Sequence, residues 1–248
     1  MALSPPSPPR RLTVGVHAAI FVGAATQVEI TPLLPHIAQQ FGASATAIAL
    51  LVAAPGLAVL AIGIPIGLLT DRLGARRLTL AATVLMCAAS LGQALPSYAA
   101  VLVARLAFGV AFGTILTAGI AWLARAGSAR LGATVTSGSV GVVMGPGIGG
   151  LLGQSAGLAA PFLLGAVLAA AVAAVLWACP REPSPLSPRR GMRASLRQLA
   201  SAPRVPGVLA AAAGLAISGA IAGATQLLAP LELHRNGASA TTIALVAM

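Results

Sequence analysis

Seven stretches of this chain are mostly apolar for about 20 residues each, the length a helix needs to cross the hydrocarbon of a bilayer. They run from Leu12 to Leu34, Ala45 to Leu69, Leu78 to Leu95, Ala99 to Leu123, Leu131 to Leu152, Ala159 to Cys179 and Val205 to Pro230. An eighth begins near Ser239 and reaches Met248, about half a span. A soluble fold could not hide so much apolar helix. Of the 248 residues 58% are hydrophobic and 8% charged, whereas a water-facing domain carries roughly a quarter charged residues. The chain is predicted to be an all-α membrane protein.

Arginine sets the orientation. Arg10 and Arg11 precede span 1, Arg72, Arg76 and Arg77 separate spans 2 and 3, and Arg125 and Arg130 separate spans 4 and 5. Arg181, Arg189, Arg190, Arg193, Arg197 and Arg204 separate spans 6 and 7. With alternating spans these 13 share one side, against Arg235 on the other and Arg105 inside span 4. Basic loops stay inside, so the N-terminus and the even loops are cytoplasmic and the protein is expected in the cell membrane. Trp122 and Trp177, at the cytoplasmic ends of spans 4 and 6, are expected as interfacial anchors. The net charge of +11 thus reflects topology and contact with membrane lipids. Nucleic-acid binding would need a basic face on a soluble domain.

The chain divides into a cytoplasmic tail (1–11), a six-helix domain (12–179), a cytoplasmic loop (180–204) and the start of a second transmembrane domain (205–248). The tail, "MALSPPSPPRR", leads into an apolar run too long for a signal-peptide core and without a small-residue cleavage site, so the run is kept as a helix. In the loop, Met192, Leu196 and Leu199 recur at helical spacing. They predict a short helix on the inner leaflet, held to anionic lipid by arginine; a solvated linker is the alternative. On the outer side "LPHIAQQFGAS" is the long loop.

The chain repeats itself. "GASATAIALLVA" (Gly42–Ala53) returns as "GASATTIALVA" (Gly237–Ala247), and "AATQVEITPLLP" (Ala24–Pro35) compares with "GATQLLAPLEL" (Gly223–Leu233). Spans 1 and 2 therefore match spans 7 and 8, in the same orientation, six helices apart. Two six-helix halves related in this way form a transporter architecture, with the substrate near mid-membrane where the halves meet. By that logic the chain holds one complete half, helix 7 and part of helix 8. A longer product is expected, because an end inside a span leaves backbone groups in lipid.

"GLLTDRLGARR" (Gly67–Arg77) concentrates charge between spans 2 and 3. With Gly67, Leu69, Asp71, Arg72, Gly74, Arg76 and Arg77 it resembles the loop 2–3 signature of the major facilitator superfamily, G-x-L-x-D-R-x-G-R-R/K-R/K. It departs at Thr70, Leu73 and Ala75. The resemblance implies a major-facilitator-type bundle. It also implies that Gly67, Asp71, Arg72, Gly74, Arg76 and Arg77 act in gating, Asp71 within a charge cluster of helix ends. Gly67 is expected to admit a neighbouring helix closely, and the arginines to hold the loop at the headgroups.

"GVVMGPGIGG" in span 5 resembles the family's g-x-x-x-G-P-x-x-G-G motif at Gly141, Gly145, Pro146, Gly149 and Gly150. That motif implies an exporter that exchanges substrate for protons. Pro146 removes a backbone hydrogen bond, and glycines four apart allow backbone-to-backbone packing. Arg105, with Gly109 and Gly113, resembles the R-x-x-q-G motif of span 4, except that Phe108 stands where glutamine is usual.

A charge within the hydrocarbon is costly and points to function. Arg105 and Glu29 lie about seven and six residues from the outer ends of their spans, which makes both roughly 9–11 Å deep. They are expected to face each other and to couple proton movement to transport. Alternatively Glu29 reaches headgroup water. Thr26 and Gln27 of span 1 recur as Thr225 and Gln226 of span 7. By symmetry and depth they are candidate substrate contacts, or else hydrogen bonds between helices.

Other functions lack their residues. No HExxH, GxSxG, CxxC or ligand-spaced histidine set occurs, and His17, His36, His234, Cys87 and Cys179 stand apart. No catalytic group, metal or cofactor is expected; the energy source is the proton gradient. The expected function is proton-coupled efflux of a drug-like or metabolite molecule by alternating access. The partners are a small-molecule substrate and a missing C-terminal half or a second copy. The alternative is a truncated, non-transporting half or a regulatory membrane subunit.

Overall fold

The computed structural model describes residues 10–127 and 131–179, with isolated positions between 217 and 236. Among the described residues every regular element is a helix, the form that satisfies all its backbone groups within one segment in lipid. Residues 180–204, with the short helix expected from Met192, Leu196 and Leu199, Gln226 and the repeat copy Gly237–Ala247 lie outside the described residues.

Span 1 is longer than its apolar run. Helix α1 (Arg10–Val28) gives way to a single 3-10 turn (Thr31–Leu33) and then to α2 (Leu34–Phe41). Most of "LPHIAQQFGAS", expected as loop, is therefore helical. Pro32 and Pro35 each stand in the first turn of a new helical segment, where the missing N–H has no partner to lose. Gly42 closes α2 at φ 58°. Ser44 then caps α3 (Ala45–Leu73), its Oγ accepting from Ala47 N at 3.2 Å.

One residue joins α3 to α4 (Ala75–Gln93). Gly74 has φ 89° and ψ 143°, a combination that a side chain strains. This gives the second glycine of the loop signature a role in the turn itself. Gly74→Ala is expected to cost roughly 1–3 kcal/mol, read as a lower thermal unfolding midpoint in detergent. An unchanged midpoint would mean that the chain turns elsewhere.

Span 4 is built from α5 (Tyr98–Thr114), a five-residue π turn (Ile115–Gly119) and α6 (Ile120–Arg125). Thr114 and Thr117 donate back to the carbonyls of Val110 and Gly113 at 2.7 and 3.0 Å, occupying acceptors around the wide turn. Helices α7 (Leu131–Ala156) and α8 (Ala160–Trp177) supply spans 5 and 6. Five of these six segments are long and apolar enough to cross a membrane; α4 falls short. It starts with arginines and carries Thr79, Thr83, Ser90 and Gln93, all buried. It can do so because it is packed between α5 and α8, and Thr79 and Thr83 bond to their own helix at 2.8 and 2.7 Å.

Packing orders the spans 2–4–3–6–1–5: α3 on α5, α5 on α4, α4 on α8, α8 on α1 and α1 on α7. Two apolar clusters result. One gathers Leu12, Val16, Met86, Phe108, Leu123 and Leu176 towards the end of the bundle where α1 begins, and the other Ile30, Leu34, Ile48, Leu51 and Phe162 near the opposite end. Trp122 belongs to the first and is 3% exposed, so it packs in the bundle and does not anchor at the interface. Trp177, 74% exposed, is free to do so. Leu57, Leu60 and Val103 point outward, the inverted surface of a protein whose solvent is lipid.

Candidate functional site

Between the two apolar clusters lies a polar layer centred on Arg105, which is 1% exposed. Its Nε donates to the carbonyl of Leu51 at 3.1 Å, and its Nη1 to the carbonyl of Gln27 at 3.1 Å and to Gln93 Oε1 at 3.4 Å. Both carbonyls have a sequence cause. Pro55 has no N–H, so Leu51, four residues earlier, loses its helical donor. Gln27 sits at the break where α1 ends and the 3-10 turn begins. Span 4 thus supplies one guanidinium that satisfies two interrupted helices and a side-chain amide from span 3. Gly109 makes the approach possible, since a side chain there would overlap the backbone of Pro55.

Glu29 lies in the same layer, 2% exposed, one residue past the end of α1. Its N–H still donates to Ala25 at 3.0 Å. Its carboxylate does not pair with Arg105, as the sequence had suggested. The guanidinium is engaged by the three oxygens above, and Glu29 Oε1 is buried without a hydrogen-bond partner. That oxygen points to span 6, where Gly165 leaves it room. Equal depth put the two charges in one layer; rotation about the helix axes put them on different neighbours. Gln93, Leu51 and Pro55 were not singled out from the sequence, although a proline four residues after a carbonyl is a legible sign of an orphaned acceptor.

The span 5 glycines meet span 1 on the same register. A side chain at Gly141 would meet the Phe21 carbonyl, one at Gly145 the Ala25 carbonyl and one at Gly149 the Glu29 carbonyl. Gly153 continues the row against Leu33. Three steps of four residues on α7 therefore follow three four-residue steps on span 1, backbone against backbone at the first three positions. Gly150 and Pro146 are buried within the continuous α7.

Beside this seam spans 1, 4 and 5 line an open cleft of about 420 Å³, with Gln27, Phe112, Leu116 and Val142 among its lining residues. Thr26 and Gln27, expected to act together, diverge because neighbours on a helix point about 100° apart. Gln27 lines the cleft, whereas Thr26 is buried with its hydroxyl against Gly165 of span 6. Thr225 is exposed and donates to Ile221 in its own helix at 2.9 Å.

At the end of the bundle where α1 begins, Asp71 Oδ1 pairs with Arg125 Nη2 of span 4 at 3.2 Å. Arg76 Nη2 donates to the carbonyl of Trp177 at 2.9 Å, tying the loop to the end of span 6. Arg72 and Arg77 are exposed. At Gly67 a side chain would meet nothing within 4 Å among the described residues, so the close helix neighbour expected there is not one of them. Arg125 was read only as a topological charge. The Asp71–Arg125 pair is open to solvent, with 74% of the Asp71 side chain accessible, and such pairs contribute under ~1 kcal/mol. Asp71→Asn is expected to leave the thermal midpoint unchanged within roughly that limit. A larger loss would make the pair a structural tie.

The backbone resembles the crystal structure of a D-xylose-proton symporter, with a TM-score of 0.64 at 16% identity. The match covers 96% of this chain and 64% of that one, so the chain spans under two thirds of its length. At this identity the likeness concerns the fold. None of the curated proteins matches. The model of the Major Facilitator Superfamily matches residues 16–248, nearly the whole chain and every span described. A multi-pass membrane protein with this helix order, the charged signature between spans 2 and 3 and that match belongs to the major facilitator superfamily.

Proposed function

We propose that this chain forms the first six-helix half, and the opening of the second, of a transporter that exports small molecules from the cell in exchange for protons by alternating access. The observation that carries it is Glu29: a carboxyl group buried in the hydrocarbon region, with an oxygen that has no hydrogen-bond partner. A structural carboxylate would be bonded on both oxygens, because an unpaired buried charge is costly. One that gains and loses a proton needs an unoccupied oxygen.

The glycine seam supports export. It seats span 5 on the backbone of Glu29 itself, so sliding or tilting of span 5 changes the environment of the carboxyl group. The Asp71–Arg125 and Arg76–Trp177 contacts tie spans 2, 3, 4 and 6 together at the cytoplasmic face, where they act as a gate. A C-terminal half or a second copy completes the pathway, and membrane lipids cover the outward apolar face.

Everted membrane vesicles holding the full chain test this. With a pH gradient and a panel of drug-like compounds, Glu29→Gln is expected to abolish uphill accumulation while downhill movement persists. Gradient-driven accumulation that survives in Glu29→Gln would remove the coupling role of Glu29.

A further inference from the structure

Arg105 bonds to one side chain besides two main-chain carbonyls, and that side chain comes from span 3. Gln93, the last residue of α4, is 2% exposed, and its Oε1 accepts from Arg105 Nη1 at 3.4 Å. The guanidinium decides which end of the amide faces it, since an amide nitrogen there would set donor against donor. Gly92 seats α4 closely on α5, because a side chain there would come within 2.9 Å of Ala104 Cβ. Span 4 offers Arg105 no amide of its own. Position 108, where glutamine is usual, carries a phenylalanine packed in an apolar cluster.

Gln93 is a poor structural tie. Its Nε2 is buried with no hydrogen-bond partner among the described residues, and an unmet buried donor is a cost. Its one bond is the longest of the three that Arg105 makes. What it does is occupy a hydrogen. Nη1 carries two; one goes to the Gln27 carbonyl at 3.1 Å and the other to Gln93. Glu29 lies two residues beyond Gln27, and its Oε1 is buried without a partner among the described residues. Arg105 and Glu29 are close enough to act on each other electrostatically. Gln27 Oε1 is likewise unbonded, but a carboxylate holds a guanidinium hydrogen roughly twice as strongly as a neutral amide does.

We propose that Gln93 is a positioning residue: by holding one Nη1 hydrogen it keeps Arg105 from closing a standing ion pair with Glu29. The inference rests on Glu29 as the proton carrier of the exchange proposed above. A standing pair would fasten spans 1 and 4 in one arrangement and occupy the oxygen that the proton needs. With a proton on Glu29, Gln93 is the better acceptor for Nη1. Once that proton has left to the open side of the membrane, the carboxylate is the better one, and Arg105 changes partner. A weak, easily exchanged bond to Gln93 is what such a step requires.

Two measurements on the purified full chain in detergent test this, and neither needs a substrate. Gln93→Met removes the amide at nearly constant length. It should lower the thermal unfolding midpoint by no more than about 3 °C, because Glu29 takes over the freed hydrogen. In a Glu29→Leu background no carboxylate can do so, and the same change should cost roughly 5 °C more. A glutamine that only packs would cost the same in both backgrounds, and that result overturns the proposal. Gln93→Leu repeats the cycle should the methionine variant not fold. The second measurement is labelling of Glu29 by dicyclohexylcarbodiimide, an apolar reagent that adds to protonated buried carboxyl groups, read by peptide mass spectrometry. Glu29 should label in the unmodified protein and at least ~10-fold more slowly in Gln93→Met, where Arg105 holds it. Equal labelling in the two proteins, or no labelling in the unmodified one, overturns the assignment. The exchange is tested apart from it. Gradient-driven accumulation that survives Glu29→Gln defeats the coupling role of Glu29, while the labelling difference would still show that Gln93 holds Arg105 off.

Discussion

Arg105→Leu is expected to lower the thermal unfolding midpoint in detergent by roughly 10 °C and to abolish transport. The substitution removes the donor of two main-chain carbonyls, Leu51 and Gln27, at points where their helices offer no replacement. Each orphaned buried acceptor costs about 1–3 kcal/mol. Arg105→Lys keeps the charge but not the fork that spans three acceptors on three helices, so stability should recover in part while transport stays reduced by at least ~10-fold. The proline supplies the internal check. Pro55→Ala restores an N–H to Leu51, so the loss from Arg105→Leu should shrink by about 1 kcal/mol in that background. Equal losses in both backgrounds would mean that Arg105 does not serve the proline-freed carbonyl.

Gly149→Leu has the second large effect. A side chain at this position overlaps the Glu29 carbonyl, and backbone cannot rotate away as a side chain can. Even Gly149→Ala should cost about 1–3 kcal/mol, and leucine should force spans 1 and 5 apart, with loss of purifiable monodisperse protein. Gly138→Ala on the same helix is the contrast: its added methyl meets Ile20 at an ordinary 3.7 Å. It should be neutral or stabilise by up to ~1 kcal/mol through helix propensity. Size-exclusion profiles and thermal melts of the two alanine variants decide it. Equal behaviour would mean that the seam tolerates bulk and is not close-packed.

The first six spans and their order along the chain were legible because lipid imposes a blunt rule: about 20 apolar residues, with arginine at one set of ends. What sequence could not carry was rotation about each helix. Depth alone placed Glu29 and Arg105 at one level, but which way each points depends on crossing angles that no linear pattern records. The same ignorance joined Thr26 to Gln27, which the helix sends to different neighbours, and put Trp122 at the membrane interface when it packs inside. The outer loop was misjudged for another reason. The segment is helical because Pro32 and Pro35 stand at helix starts, where proline is at home. The glycine spacing in span 5 announced a close contact without saying with what; the partner turned out to be the carbonyl row that includes Glu29.

The proton itself gives the most direct test of the proposed exchange. Vesicles with the full chain in one orientation and a pH-reporting dye inside would receive a small-molecule substrate on the cytoplasmic face, with no initial pH gradient. The account predicts that protons move opposite to the substrate, and that Glu29→Gln silences the signal while substrate still crosses. Protons moving with the substrate, or substrate crossing with no proton signal in the unmodified protein, would contradict it.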